Sequence, residues 1–149
     1  MKYYMLFTLF TVSILSTSCG QAPAAVKSAF QTKFPTVKKA KWGKENDNEW
    51  EAEFKMNGKE MSANFSNDGT WLETETEIKA AQLPQAVKAA IAGQFAGYKT
   101  EEASMVETLD MAAAYEVELE KGETTIEAIF SADGTLIKQK TEEEDDDKD

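Results

Sequence analysis

The sequence predicts an α+β protein: a tandem repeat of one helix plus four antiparallel strands, with both helices packed on one face of a shared antiparallel sheet. Three observations carry this expectation. Ala63-Asn64-Phe65-Ser66-Asn67-Asp68-Gly69-Thr70 reappears sixty-five positions later as Ala128-Ile129-Phe130-Ser131-Ala132-Asp133-Gly134-Thr135. Trp50-Glu51-Ala52-Glu53-Phe54 matches Tyr115-Glu116-Val117-Glu118-Leu119 at the same offset. Pro23-Ala24-Ala25-Val26-Lys27-Ser28-Ala29-Phe30 matches Pro84-Gln85-Ala86-Val87-Lys88-Ala89-Ala90-Ile91, with the apolar positions spaced as on a helix. An echo at a nearly fixed period is the signature of an internal duplication.

Each element follows from local chemistry. Pro23 suits a first helical turn, and Val26, Ala29, Phe30 and Phe34 then form one apolar stripe until Pro35 ends the helix. Val37–Trp42 reads as a first strand, and Asn46-Asp47-Asn48 as a turn. Trp50, Ala52, Phe54 and Met56 alternate with Glu51, Glu53 and Lys55, the pattern of a strand with one wet face. Asn57-Gly58 marks a tight hairpin into Met61, Ala63 and Phe65. Asn67-Asp68-Gly69 turns the chain into Trp71–Ile78, where Glu73, Glu75 and Glu77 share a face. In the second unit, Val87, Ala90, Ile91 and Phe95 form the helix stripe, and Met105 and Val106 belong to the first strand. Tyr115, Val117 and Leu119 line the second strand and Thr124, Ile126, Ala128 and Phe130 the third; Leu136–Lys140 is the last. The units span about 22–78 and 83–141. Because the turns are too short for crossovers, the strands pair antiparallel.

The ends of the chain differ in character from its body. Lys2 precedes an apolar stretch, Tyr3–Leu15, and the small residues Ser16-Thr17-Ser18 lead to Cys19, the single cysteine. Residues 1–18 read as a signal peptide, too short for a membrane span. The segment before Cys19 resembles a lipobox of the Ser-Cys type found in Bacteroidota lipoproteins, although Ser16 stands where leucine is usual. Residues 19–21 are then a lipidated N-terminus, with Cys19 the lipidation site and membrane anchor. No acid follows directly in Gly20-Gln21-Ala22-Pro23, so a periplasm-facing protein on the outer membrane is expected rather than a surface-exposed one. At the other end, Glu142–Asp149 holds seven acids and one lysine, more than half of the net charge of −11. With no apolar residue to bury, residues 142–149 are expected to be a disordered acidic tail. The chain has no arginine and no histidine, and an acidic, arginine-free surface excludes nucleic acid as a partner.

The helix-then-four-strands unit, the Trp50–Phe54 strand and the Ser-Asn/Ala-Asp-Gly-Thr turns at Ser66–Thr70 and Ser131–Thr135 resemble the PepSY-like family. That family of exported proteins is similar to the beta-lactamase inhibitory protein. The resemblance covers residues 22–141. It implies a tandem sheet with helices on one face and, in function, binding or inhibition of another exported protein.

The residues themselves argue against catalysis. There is no histidine for general acid–base work, no free thiol once Cys19 is lipidated, and no Gly-x-Ser-x-Gly elbow. No cofactor and no metal set is expected. Asp68 and Asp133 read as turn residues, because the turn is too short for a calcium loop. The strand glutamates read as a solvated face. A non-catalytic module binding an exported or envelope protein is therefore the first function expected, with Trp42, Trp50, Trp71 and Tyr115 as candidate partner contacts. The alternative is a divalent-cation-binding or sensing protein that uses the acidic tail and the strand carboxylates.

Overall fold

In order, the chain forms α1 (Ala24–Lys33), β1 (Ala40–Asn46), β2 (Glu49–Met56), β3 (Lys59–Ser66), β4 (Trp71–Glu77) and a 3-10 turn at Ala80–Gln82. It continues through α2 (Gln85–Gln94), β5 (Lys99–Thr108), β6 (Ala114–Lys121), β7 (Thr124–Ser131) and β8 (Leu136–Glu143). This computed structural model describes residues 21–111 and 113–143. The expected signal peptide, Cys19 and residues 144–149 of the expected tail lie outside the described residues. Among the described residues no helix is long and apolar enough to cross a membrane.

The eight strands pair in chain order into one antiparallel sheet. Its halves meet where β4 pairs with β5, from Glu73 opposite Thr108 to Glu77 opposite Ser104. Along one row of register partners, Met61, Thr76, Met105, Tyr115 and Phe130 follow one another across β3 to β7. Met61 packs with the core under α1, and Tyr115 and Phe130 belong to the core under α2. Both helices therefore cover the same face.

Period-two alternation supplies the lower half of each core. Ala52, Phe54, Ala63 and Phe65 meet Val26, Phe30 and Phe34 of the first helical segment. Phe30 is the hub, with ring centroids 5.2 Å from Phe34, 5.0 Å from Phe54 and 6.2 Å from Phe65. In the second half Val117, Leu119, Ala128 and Phe130 meet Val87, Ile91 and Phe95, so aliphatic side chains replace several rings. Phe65 and Phe130 are both fully buried, each against its own helix, as the echo in the sequence implies.

Close approach fixes the helices to the sheet. Gly69 and Gly134, the glycines of the two Asp-Gly turns, have φ of +89° and +85°. A Cβ on Gly69 would lie 2.8 Å from the Ala25 carbonyl oxygen, and one on Gly134 2.5 Å from that of Ala86. Each turn thus tucks beneath the first turn of its helix, and no other residue fits there. At Asn57-Gly58 both residues take positive φ, as a two-residue hairpin requires.

Three boundaries differ from those read in the sequence. β1 begins at Ala40, and Val37 instead fills the core beyond the end of α1, its N–H donating to the Phe34 carbonyl. β5 starts at Lys99, well before Met105, because Lys99 and Thr100 pair with Glu120 and Leu119. β8 extends through Glu143, since Glu142 and Glu143 pair with Thr125 and Thr124. Backbone pairing orders the first two residues of the segment expected to be a disordered tail.

Truncating Phe65 or Phe130 to alanine is expected to cost about 3–5 kcal/mol, the usual range for a buried aromatic. Urea unfolding should show a single transition displaced by either change. Gly69→Ala should destabilise by more than about 1 kcal/mol through its φ and its contact with Ala25, whereas Gly43→Ala, with open space around its Cβ position, should not. Two transitions, each sensitive to one phenylalanine, would contradict a single cooperative sheet.

Candidate functional site

The helices leave the opposite face of the sheet uncovered, and alternation sends the strand carboxylates there. Register gives the rows: Glu51, Asn64, Glu73 and Thr108 are successive partners across β2 to β5. Next comes Glu53, Ser62, Glu75 and Val106, and then Glu77, Ser104, Glu116 and Ile129 across β4 to β7. At one end the β5–β6 loop folds Met111 onto Val106, Ala114 and Ile129. Thr108 shapes this loop, its hydroxyl oxygen accepting from the Met111 N–H at 3.1 Å.

The sequence reading makes these glutamates a solvated face; that holds for Glu77, which is exposed, and the structure corrects it for Glu51, Glu73 and Glu75. Glu73 is only 5% exposed, between Asn64 and Thr108, which are equally buried. Neighbouring strands lie about 4.8 Å apart, so long side chains in adjacent rows cover one another. The Asn64 amide donates to Glu73 Oε1 at 3.5 Å, and Glu116 Oε2 is buried without a hydrogen-bond partner. A pocket of about 250 Å³ opens at Glu75, walled also by Glu53, Glu60, Ser62, Glu77 and Glu102, and a separate cleft of about 20 Å³ lies between Glu75, Glu102 and Glu116.

Burial in like-charged company raises the carboxyl pKa values. Burial pushes Glu73 up to about 8, reinforced by Glu116 and Glu49. Glu51 rises to about 7, through burial and then Glu45 and Glu53, against the lowering effect of Lys41. Glu116 rises to about 7 through burial and Glu127, with Lys138 opposing. Glu75 lies well above the ordinary value through burial, then Glu116 and Glu73. The margins are better compensated: Lys41 reaches Glu53 at 3.1 Å, and Lys55 pairs with Glu60.

The candidate contacts read from the sequence lie on the other, helix-bearing side. Trp50 is 5% exposed and its indole N–H donates to Asn67 Oδ1 at 2.9 Å. Trp42 packs edge-on against Phe30 at 5.3 Å, and Tyr115 packs into the core under α2. Trp71 is half-buried, with the Lys33 ammonium 3.5 Å from its ring centroid. The structure does not bring these four together. Asp68 is held down to about 2 by the Ser66 hydroxyl and the Thr70 N–H, and the Ser131 hydroxyl and Thr135 N–H lower Asp133 in the same way. The oxygens of both aspartates serve their turns.

The family described as "Putative beta-lactamase-inhibitor-like, PepSY-like" matches residues 48–138. Among solved structures, a putative periplasmic protein from Bacteroides eggerthii is similar at 22% identity and a TM-score of 0.72, over 82% of this chain and 90% of its own. A DUF2874 family protein from Bacteroides uniformis shows 23% identity and 0.72, over 80% and 89%. A BLIP-like protein from Bacteroides fragilis shows 24% and 0.69, over 85% and 91%. These likenesses show the fold. No curated protein matches the chain.

The raised carboxyls dictate a pH dependence of stability. A carboxyl that binds its proton more tightly folded than unfolded stabilises the fold fully below its unfolded value, here 4.5, and this contribution is lost as pH rises through 7 to 8. The thermal midpoint should therefore fall from pH 4.5 to pH 8. Glu73→Gln should raise it at pH 8 and change it little at pH 4.5. A midpoint that climbs across this window would refute the burial argument.

Proposed function

The chain belongs to the PepSY-like, beta-lactamase-inhibitor-like family, and from that premise we propose that it is a non-catalytic module that binds or inhibits another exported protein. The observation that carries this reading is the uncovered sheet face. Two helices on one side leave the strands' other face to present rows of side chains outward, a broad surface held on rigid elements. The likeness to a BLIP-like protein supports an inhibitor-like role, and the absence of histidine and of a free thiol after lipidation supports a non-catalytic one.

The reading includes an anchor and an origin. Lipidated at Cys19, the module faces the periplasm from the outer membrane; the similarity to periplasmic proteins supports the compartment. The two halves descend from one helix-and-four-strand unit, supported by the matching Ser-x-Asp-Gly-Thr turns and by Gly69 and Gly134 in the same contact with their helices. The alternative, divalent-cation binding or sensing by tail and strand carboxylates, gains support from the gathering of glutamates on one face. Among the described residues, however, no three acids are placed to hold one ion.

Cys19→Ala should shift the protein from the membrane fraction to the soluble periplasm. A mutant that stays membrane-bound with an uncleaved N-terminus would refute the anchor. For binding, a photo-reactive residue at Glu102, exposed on the uncovered face, should cross-link an exported protein in cells. The same residue at Lys27 on the outside of α1 should not. Cross-linking only from Lys27, or from neither position, would refute the proposal.

A further inference from the structure

We infer that the uncovered face receives a cationic segment of its partner, a loop or strand bearing lysine or arginine, with one cationic side chain seated in the pocket that Glu75 borders with Glu77 and Glu102. This deepens the binding-module reading and rests on it. The charge of the face is divided by position. Its lysines stand at the margins, Lys41 on β1, Lys55 at the end of β2, and Lys138 and Lys140 on β8. The middle strands carry the acids. At the margins, cation and anion pair within this chain, as in Lys41 with Glu53.

The centre is different. Every charged neighbour that acts strongly on Glu75 is another carboxylate: Glu116, Glu73, Glu51 and Glu127. Beside it, Glu116 Oε2 is buried with no hydrogen-bond donor. Buried acceptors without donors are costly, and like-charged carboxylates more so. Alone, the protein offsets that cost by keeping protons on the carboxyls. A partner's ammonium or guanidinium offsets it better, because it supplies both the positive charge and several N–H donors. The chain's own lysines serve the pocket's outer wall, Lys41 at Glu53 and Lys55 at Glu60, and Lys138 bears on Glu116, but Glu75 has only carboxylates acting on it.

The space and the chemistry select this occupant. The pocket of about 250 Å³ borders Glu75, Glu77 and Glu102 and opens to solvent between rows, room for the end of a long side chain and a few waters of about 30 Å³ each. A calcium ion needs six to eight converging oxygens, whereas a guanidinium is satisfied by two carboxylates in one plane. An anionic or apolar segment would leave the buried carboxyls as they are.

Fluorescence anisotropy with a labelled oligolysine peptide and the purified protein tests this. Wild type should bind, and Glu75→Gln with Glu116→Gln should weaken binding about tenfold or more, since a buried charge partner is lost. The charge-matched loop pair Asp110→Asn with Glu123→Gln should change it less than about threefold. Glutamine keeps the shape and removes repulsion, so circular dichroism should show both doubles folded. No binding by wild type, or equal loss in both doubles, would overturn the inference. Stoichiometric displacement of the peptide by calcium alone would also overturn it and give the pocket to a metal. If the cross-linked partner is captured equally by wild type and by the Glu75/Glu116 double, the binding-module reading stands and this inference falls. If oligolysine binds as expected but no exported protein is captured, the pocket stands and that reading falls.

Discussion

The pairing of β4 with β5 is the constraint on which the rest of the molecule depends. Without it, each half would be a helix over four strands with an open edge, near the lower size limit for independent folding. Once it forms, eight strands share one sheet, both helices lie on one side, and the other side becomes continuous. The seam also decides the electrostatics. β4 carries Glu73, Glu75 and Glu77 outward, and the antiparallel register sets Glu75 and Glu77 against Val106 and Ser104, diagonal to Glu116 of β6. Sequence-distant acids thereby become close neighbours, and their raised pKa values follow from burial first and from mutual repulsion second.

A sheet that places repelling acids at its own seam is balanced by the apolar side. Directly behind the carboxylates lie Ala63, Phe65, Val117 and Phe130, essentially closed to solvent. Each large buried side chain contributes about 1.5–3 kcal/mol, enough to offset carboxyls that hold their protons. Stability and the proposed binding therefore draw on opposite faces of the same strands. The face that folds the protein is ordinary core, and the face left over is strained in charge, a condition that the proposed cationic partner would relieve.

Much of this was legible in the sequence, and the misses have physical reasons. The Asp-Gly turns, the Asn57-Gly58 hairpin and the inward positions of Phe65 and Phe130 follow from local chemistry and period two, and the structure bears them out. Lys99–Glu102 has no apolar rhythm, so the first part of β5 was invisible; it is a strand because β6 lies beside it. Glu142 and Glu143 read as tail by composition but are ordered by the backbone of Thr124 and Thr125. Alternation assigns Glu73 to the uncovered face but cannot say that Asn64 and Thr108 flank it closely. Trp50 differs for the opposite reason: it resembles an interface anchor in sequence and is core in space.

The claim that one cooperative sheet places these acids together is tested most directly by native-state hydrogen exchange of the seam amides. If the sheet is single, the amides of Thr74 and Thr76 and those facing them in β5 should exchange only through global unfolding, with the same free energy as Ala63 and Val117 in the two cores. Seam amides that exchange by a cheaper local opening, while each core stays protected, would mean two lobes in loose contact. That result would contradict the account, because the carboxylates of the two halves would no longer share a buried face.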